Sequence, residues 1–179
     1  GFLNSSNIPI LIPKPDLKFV MNAAKSISKV IKDGDLVLLE STSPVGTTEK
    51  VFQVINEITN LNLGNIFIAY CPERVIPGDI LNELIYNDRV VGGLNTESTE
   101  KGKSFYETFC KGEIRTTISR TAELVKLAEN AYRDVNIAYA NEISLVCNQL
   151  NINVYEMIKL ANNHPRVNIL KPGCGVGGH

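Results

Sequence analysis

"DLVLLESTSPVGTTEKVFQVINEI" occupies positions 35–58, and its parts read differently. "DLVLLE" is a short apolar run that suits a strand buried in a parallel sheet. "ESTSPVG" carries three adjacent hydroxyls, Ser41, Thr42 and Ser43, just past the strand end. "VGTTEKVFQVINEI" then returns to helical period. Strand, polar turn and helix in that order form the repeating unit of an α/β sheet.

Working outward, the unit recurs. Upstream, "PDLKFVMNAAKSISKVIKDG" places Leu17, Val20, Ala24, Ile27 and Ile31 at helical spacing, with Gly34 as a stop. Downstream, "NIFIAY" reads as a strand, "GDILNELIYN" as a short helix, "RVVGG" as a strand, "TEKGKSFYETFC" as a helix and "EIRTT" as a last strand. Such alternation predicts parallel crossover units. After "TTISRT" the pattern changes. Positions 121–150 contain no glycine or proline, which predicts one helix about 45 Å long entered near Thr121. "NINVYEMIKLANN" predicts a shorter helix capped by Asn151 or Asn153. The expected organisation is an α/β part over 1–118 and an all-helical part over 119–179. A doubly wound nucleotide domain opens on a strand and a G-x-G-x-x-G turn, and nothing before Pro15 supplies either. The α/β part therefore reads as the second half of a Rossmann-like parallel sheet.

Composition narrows the function classes. Among 179 residues, 44% are hydrophobic and 21% charged, as in an ordinary globular chain. A formal net charge of −1 leaves no nucleic-acid footprint. No apolar run approaches the roughly 20 residues that span a bilayer, and the opening "GFLNSSNIPI" lacks the pattern of a secretory signal. Cys71, Cys110, Cys147 and Cys174 are widely spread, which suits neither zinc nor a disulfide framework and predicts free thiols in the cytoplasm.

Four blocks carry candidate chemistry. In "AELVKLAENAYRDV", Lys126, Asn130 and Arg133 fall at i, i+4 and i+7, within a stripe roughly 60° wide. Cation, amide and cation in one line suit an anionic ligand with a reacting oxygen; a solvated polar helix face has the same spacing. "YCPERVIPG" follows a strand and offers Glu73 as a general base and Arg74 as an anion clamp, or else an exposed turn. "ESTSPVGTTE" suits a water, a phosphate or a nicotinamide at a strand end, or else holds Thr47 or Thr48 as a helix cap. In "NNHPRVNILKPGCGVGGH", His164 and Arg166 flank Pro165 before a glycine-rich loop, a basic pair that suits a diphosphate; a histidine in that place also serves as a helix-end cap.

Taken together, these blocks resemble the nucleotide-sugar 6-dehydrogenases, the family containing UDP-glucose dehydrogenase. "PERV", "NDRVVGG" and "HPRVNIL" are most similar to the branch acting on UDP-N-acetyl-D-mannosamine, with UDP-N-acetylglucosamine and UDP-glucose as alternatives. The resemblance covers nearly everything from Pro15 onward. It implies an enzyme that oxidises a sugar C6 alcohol to a carboxylate in two hydride transfers to NAD. It gives Lys126 and Asn130 the developing oxyanion, Thr42 the nicotinamide and catalytic water, and Glu73 a place in proton handling. Arg74, Val75, Arg133, His164, Arg166 and Gly177 match substrate-contacting positions. It also implies a homodimer through the central helices. In the family the nucleophilic cysteine directly follows "GVGGH", so these 179 residues alone are expected to be inactive. A helical dimerisation module without catalysis is the reading from another class.

Overall fold

The computed structural model describes residues 15–75 and 78–175. The helical period of 15–34 becomes α1, Lys18–Ile27. Its apolar positions, Val20, Ala24, Ile27 and Ile31, turn to one core. The helix ends before Gly34 because the Ser28 hydroxyl donates to the Ala24 carbonyl at 2.8 Å, and the next turn tightens through bonds from Lys29 to Ser26 and Val30 to Ile27.

Next come β1 (Leu36–Leu39), α2 (Thr47–Thr59), β2 (Phe67–Tyr70), α3 (Ile80–Tyr86), β3 (Arg89–Gly93), α4 (Thr96–Glu107) and β4 (Ile114–Ile118). The strands form one four-stranded sheet in the order β1-β2-β3-β4. Alternation along the strands sorts the core into two layers. Val37, Leu39 and Ile68 pack with α1 and α2 around buried Val51 and Ile55, while Leu38, Ala69 and Val91 pack with Tyr106 of α4. Helices thus cover both faces, as an α/β sheet requires.

The α/β class holds, but the sheet is mixed where an all-parallel one was expected. β1–β2 and β3–β4 are parallel, whereas β2 and β3 run antiparallel, with Ala69 opposite Gly93 and Tyr70 opposite Gly92. The cause lies in the connection. A parallel partner needs a crossover that carries the chain back along the sheet face. The seven residues of α3 span only about 10 Å and bury none of their side chains. The chain therefore turns at the end of β2 and returns directly.

A second compact unit begins at Leu124, within α5 (Ser119–Gln149). The helix opens at Ser119 rather than at Thr121. Considered by itself, this unit contains the rest of α5, then α6 (Val154–Ala161). Asn153 is the cap: its side-chain oxygen accepts from the Tyr155 and Glu156 N–H groups at 2.9 and 3.3 Å. Ala140, Cys147 and Ile158 are buried, but Tyr132, Val135, Tyr139, Leu145, Tyr155 and Leu160 are exposed. All four cysteines are free thiols. Among the described residues no helix is long and apolar enough to cross a membrane, and no cluster of metal-ligating side chains occurs.

Two isoleucines on α2 test this layering. Ile55 is fully buried and Ile58 is 51% exposed. Ile55→Ala is expected to cost about 3 kcal/mol of unfolding free energy, and Ile58→Ala about 1 or less, by urea denaturation. Equal losses would contradict the assigned face.

Candidate active site

Both strand-end blocks lie at the C-terminal ends of the parallel pair β1–β2, where α/β sheets bind ligands. Beyond the last strand pair, the Cys71 N–H donates to the Leu39 carbonyl at 3.0 Å and the Glu73 N–H to the Glu40 carbonyl at 3.2 Å. The "ESTSPVG" and "CPERV" loops are thereby laid side by side. Thr42 is exposed there, while Ser43 is buried and donates to the Ser41 carbonyl at 2.9 Å. Glu73 is half-buried, and one of its carboxylate oxygens accepts from the Arg74 and Val75 N–H groups at 2.6 and 2.9 Å. That contact closes the turn and leaves the other oxygen to the remaining surroundings. The Arg74 guanidinium donates to the Asp88 carbonyl at 3.2 Å.

The N-terminus of α2 differs from the sequence reading. Its donors were expected to face a water, a phosphate or a nicotinamide, or to be capped by Thr47 or Thr48. Instead the carboxylate of Glu123 takes them. Gly46 N–H donates to it at 2.6 Å, Thr48 N–H at 2.8 Å and the Thr48 hydroxyl at 2.6 Å, and Glu123 is fully buried. The physical reason is reciprocal. A buried carboxylate needs donors, and a helix N-terminus has unpaired N–H groups and a positive dipole end. Gly46 adopts φ 91°, a left-handed backbone that points its N–H at the carboxylate without a Cβ penalty. Thr47 donates to the Pro44 carbonyl at 2.6 Å and so does not cap. The neighbouring Arg120–Glu49 pair, at 3.1 Å, is exposed and adds little.

Beneath the two loops lies a polar cluster that the sequence reading missed. The Tyr106 hydroxyl donates to Glu40 at 2.6 Å. The Arg89 guanidinium is buried, stacks 4.7 Å from the Tyr106 ring centre and donates to the Leu84 carbonyl at 3.0 Å. Burial, reinforced by Cys71 and by the Glu40 contact, pushes the Tyr106 hydroxyl far above the usual tyrosine range and keeps it a donor. Burial likewise pushes the Cys71 thiol up, so it is not a nucleophile near neutral pH.

In the second unit, the predicted stripe exists on α5. Lys126 and Asn130 are half-buried, Arg133 is exposed, and the Arg133 guanidinium donates to the Asn130 side-chain oxygen at 3.5 Å. His164 and Arg166 are both exposed just past α6, and the Arg166 N–H donates to His164 Nδ1 at 3.3 Å. That bond leaves Nε2 as the nitrogen that faces outward. Gly177 lies outside the described residues.

Residues 5–110 match the NAD binding domain of the UDP-glucose/GDP-mannose dehydrogenase family, and residues 120–179 match its central domain. The chain belongs to that family. It is 55% identical over 174 residues to the UDP-N-acetyl-D-mannosamine dehydrogenase of Yersinia pestis, covering 93% of this chain and 41% of that protein. It is 52% identical to the Campylobacter jejuni protein of the same name, covering 100% of this chain and 50% of the other. Among solved structures, the UDP-D-ManNAc dehydrogenase of Pyrococcus horikoshii aligns with a TM-score of 0.88 at 48% identity, over 92% of this chain and 40% of that one. The chain thus spans about half the length, or less, of these relatives of the family.

The Glu123 lock can be weighed directly. Glu123→Ala leaves two N–H groups and a hydroxyl without their acceptor, and is expected to cost about 3 kcal/mol in calorimetric unfolding. A loss below about 1 kcal/mol would mean that water replaces the carboxylate.

Proposed function

We propose that the whole protein carrying this chain is an NAD-dependent UDP-N-acetyl-D-mannosamine 6-dehydrogenase, which oxidises the sugar C6 alcohol to a carboxylate in two hydride transfers. The observation that carries this reading is the α5 stripe, where Lys126 and Asn130 are half-buried and Arg133 is hydrogen-bonded to Asn130. Partial burial strengthens such donors toward an anion. In this reading Lys126 gives or takes the proton of the C6 hydroxyl and steadies the oxyanion, and Asn130 donates to the same oxygen. Arg133, Arg74, His164 and Arg166 meet the diphosphate and sugar, with the Val75 backbone and Gly177 beside them. Residues 1–118 form part of the cofactor domain, and residues 119–179 belong to the central helical domain.

The residues present fit the nicotinamide end of NAD. Thr42 is exposed at the C-terminal end of β1, beside the loop that carries Glu73. The α2 N-terminus does not take the pyrophosphate, because its N–H groups already meet Glu123. NAD, when bound, accepts the hydride from C6. Thr42 then orients the nicotinamide and the catalytic water, and Glu73 relays the proton.

The named relatives support UDP-N-acetyl-D-mannosamine as the sugar. In the whole protein, turnover is expected with that sugar and with two NAD reduced per sugar. Preference for UDP-glucose or UDP-N-acetylglucosamine would overturn the choice of substrate. Lys126→Ala is expected to lower kcat by about 100-fold or more. An unchanged kcat would remove Lys126 from the chemistry.

We infer a homodimer through α5 and α6 as well, in the cytoplasm where nucleotide sugars and reduced thiols coexist. Tyr132, Val135, Tyr139, Leu145, Tyr155 and Leu160 leave a broad apolar surface on these helices. Light scattering after size exclusion is expected to give twice the chain mass at tens of micromolar. A strictly monomeric species would refute the interface.

A further inference from the structure

Asn162 ends α6 with its main chain and turns its side chain to the segment beyond. Its N–H still donates to the Ile158 carbonyl at 2.9 Å, so its backbone belongs to the helix. Its side-chain N–H2 donates to the Ile169 carbonyl at 2.9 Å, and its side-chain oxygen accepts from the Ile169 N–H at 2.8 Å. One amide thus satisfies both main-chain groups of one residue, as a neighbouring strand would. Asn141 of α5 holds Gly173 in the same way, with both bonds at 2.8 Å.

The Asn162 grip closes a loop whose tip carries the His164–Arg166 pair. Residues 163–168 are all exposed, whereas Asn162 and Ile169 are half-buried. The tip is shaped locally. The Val167 N–H donates to the His164 carbonyl at 3.0 Å, which makes His164–Val167 a β-turn with Pro165 in its second place, where a fixed proline φ is favoured. The Arg166 N–H donates to His164 Nδ1 at 3.3 Å, which holds the ring against the turn. These contacts set His164 and Arg166 relative to each other but not relative to α6. That second orientation comes from the base of the loop. The outgoing arm is tied to α6 by the Asn163 and His164 N–H groups, which donate to the Leu160 and Ala161 carbonyls at 3.2 and 3.1 Å. The returning arm is tied to it by Asn162.

We propose that Asn162 is a positioning residue for sugar-nucleotide binding: by holding Ile169 it fixes the turn from which His164 and Arg166 reach the diphosphate. It acts through the turn and touches no ligand itself. With the returning arm released, the turn hangs from one arm. His164 and Arg166 keep their chemistry but sample many orientations, and binding the anion then carries the entropic cost of fixing them again. The defect falls on the sugar nucleotide and not on the NAD.

The role rests on the function proposed above, and the test tells the two apart. In the whole protein, with UDP-N-acetyl-D-mannosamine and NAD as substrates, Asn162→Ala is expected to raise the sugar-nucleotide KM about tenfold. Both kcat and the KM for NAD are expected to stay within about twofold of wild type. In a His164→Ala/Arg166→Ala background the same change is expected to add less than about twofold, because no side chain is left for Asn162 to orient. A full, additive rise in that background overturns the positioning role, as does a wild-type sugar KM in Asn162→Ala or a parallel rise of both KM values. A His164→Ala/Arg166→Ala enzyme with wild-type sugar KM overturns it too, and leaves the proposed dehydrogenase standing. If another UDP-sugar proves to be preferred, the same constants are read with that sugar. If Asn162→Ala does not fold, Asn162→Asp, which keeps the acceptor for the Ile169 N–H and loses the donor, is read by the same outcomes. Failure of both to fold marks a merely structural residue and ends the role. A wild-type protein that oxidises no UDP-sugar sinks the function, and Asn162's part in it.

Discussion

The carboxylate of Glu123 at the N-terminus of α2 is the constraint on which the first unit's ligand-facing end depends. Three donors from two residues, Gly46 and Thr48, converge on one buried side chain, across 75 and 77 residues of sequence. The contact joins the first turn of α5 to the loop that follows β1. It also decides electrostatics. A free helix N-terminus would attract any phosphate near the strand ends. With an internal carboxylate in that place, the positive dipole end is satisfied within the protein. The loop is left to present hydroxyls, with Thr42 exposed.

The buried cluster below the loops works in the same direction from the other side. Arg89 enters from β3, Tyr106 from α4 and Glu40 from the end of β1, so one stacked guanidinium and one phenol tie three elements together. Removing Arg89 from water costs several kcal/mol, which the two rings and the Leu84 carbonyl offset in part, the buried Nε having no hydrogen-bond partner among the described residues. Because Glu40 also accepts from Glu73 through its backbone, the cluster sets the height at which both strand-end loops emerge. The antiparallel return of β3 matters here. It brings Arg89, at the start of β3, back from α3 and towards α4, at the opposite end of the strand from Gly92 and Gly93, which pair with the end of β2.

Sequence made the elements legible because they rest on local periods. The apolar positions of α1 and the bare run of 121–150 are fixed by spacing within a few turns. The stripe of Lys126, Asn130 and Arg133 was legible for the same reason: the helix supplies the geometry. Glu123 was not, since its meaning lies in Gly46 and Thr48, far away in the chain. The sense of β3 was hidden too, because a strand's direction depends on whether α3 packs on the sheet, and its pattern is equally consistent with both. Asn141 offered a register clue, since it shares the phase of Lys126. Nothing local says that an amide on that face grips backbone instead of ligand.

A common economy runs through these contacts. Glu123, Glu73, Asn141, Asn153 and Asn162 all spend their side chains on main-chain N–H or C=O groups. Each such bond fixes a loop through its main chain. In the first unit this leaves Thr42 exposed, and in the second it leaves His164 and Arg166 exposed beside a held backbone. A site assembled this way separates two demands that otherwise compete. Buried Glu123 supplies rigidity alone and, in the proposed function, exposed Thr42 and Arg166 supply recognition. Loss of Glu123 leaves buried donors unpaired, so that position resists change, whereas exposed Thr42 and Arg166 can vary with little cost in folding.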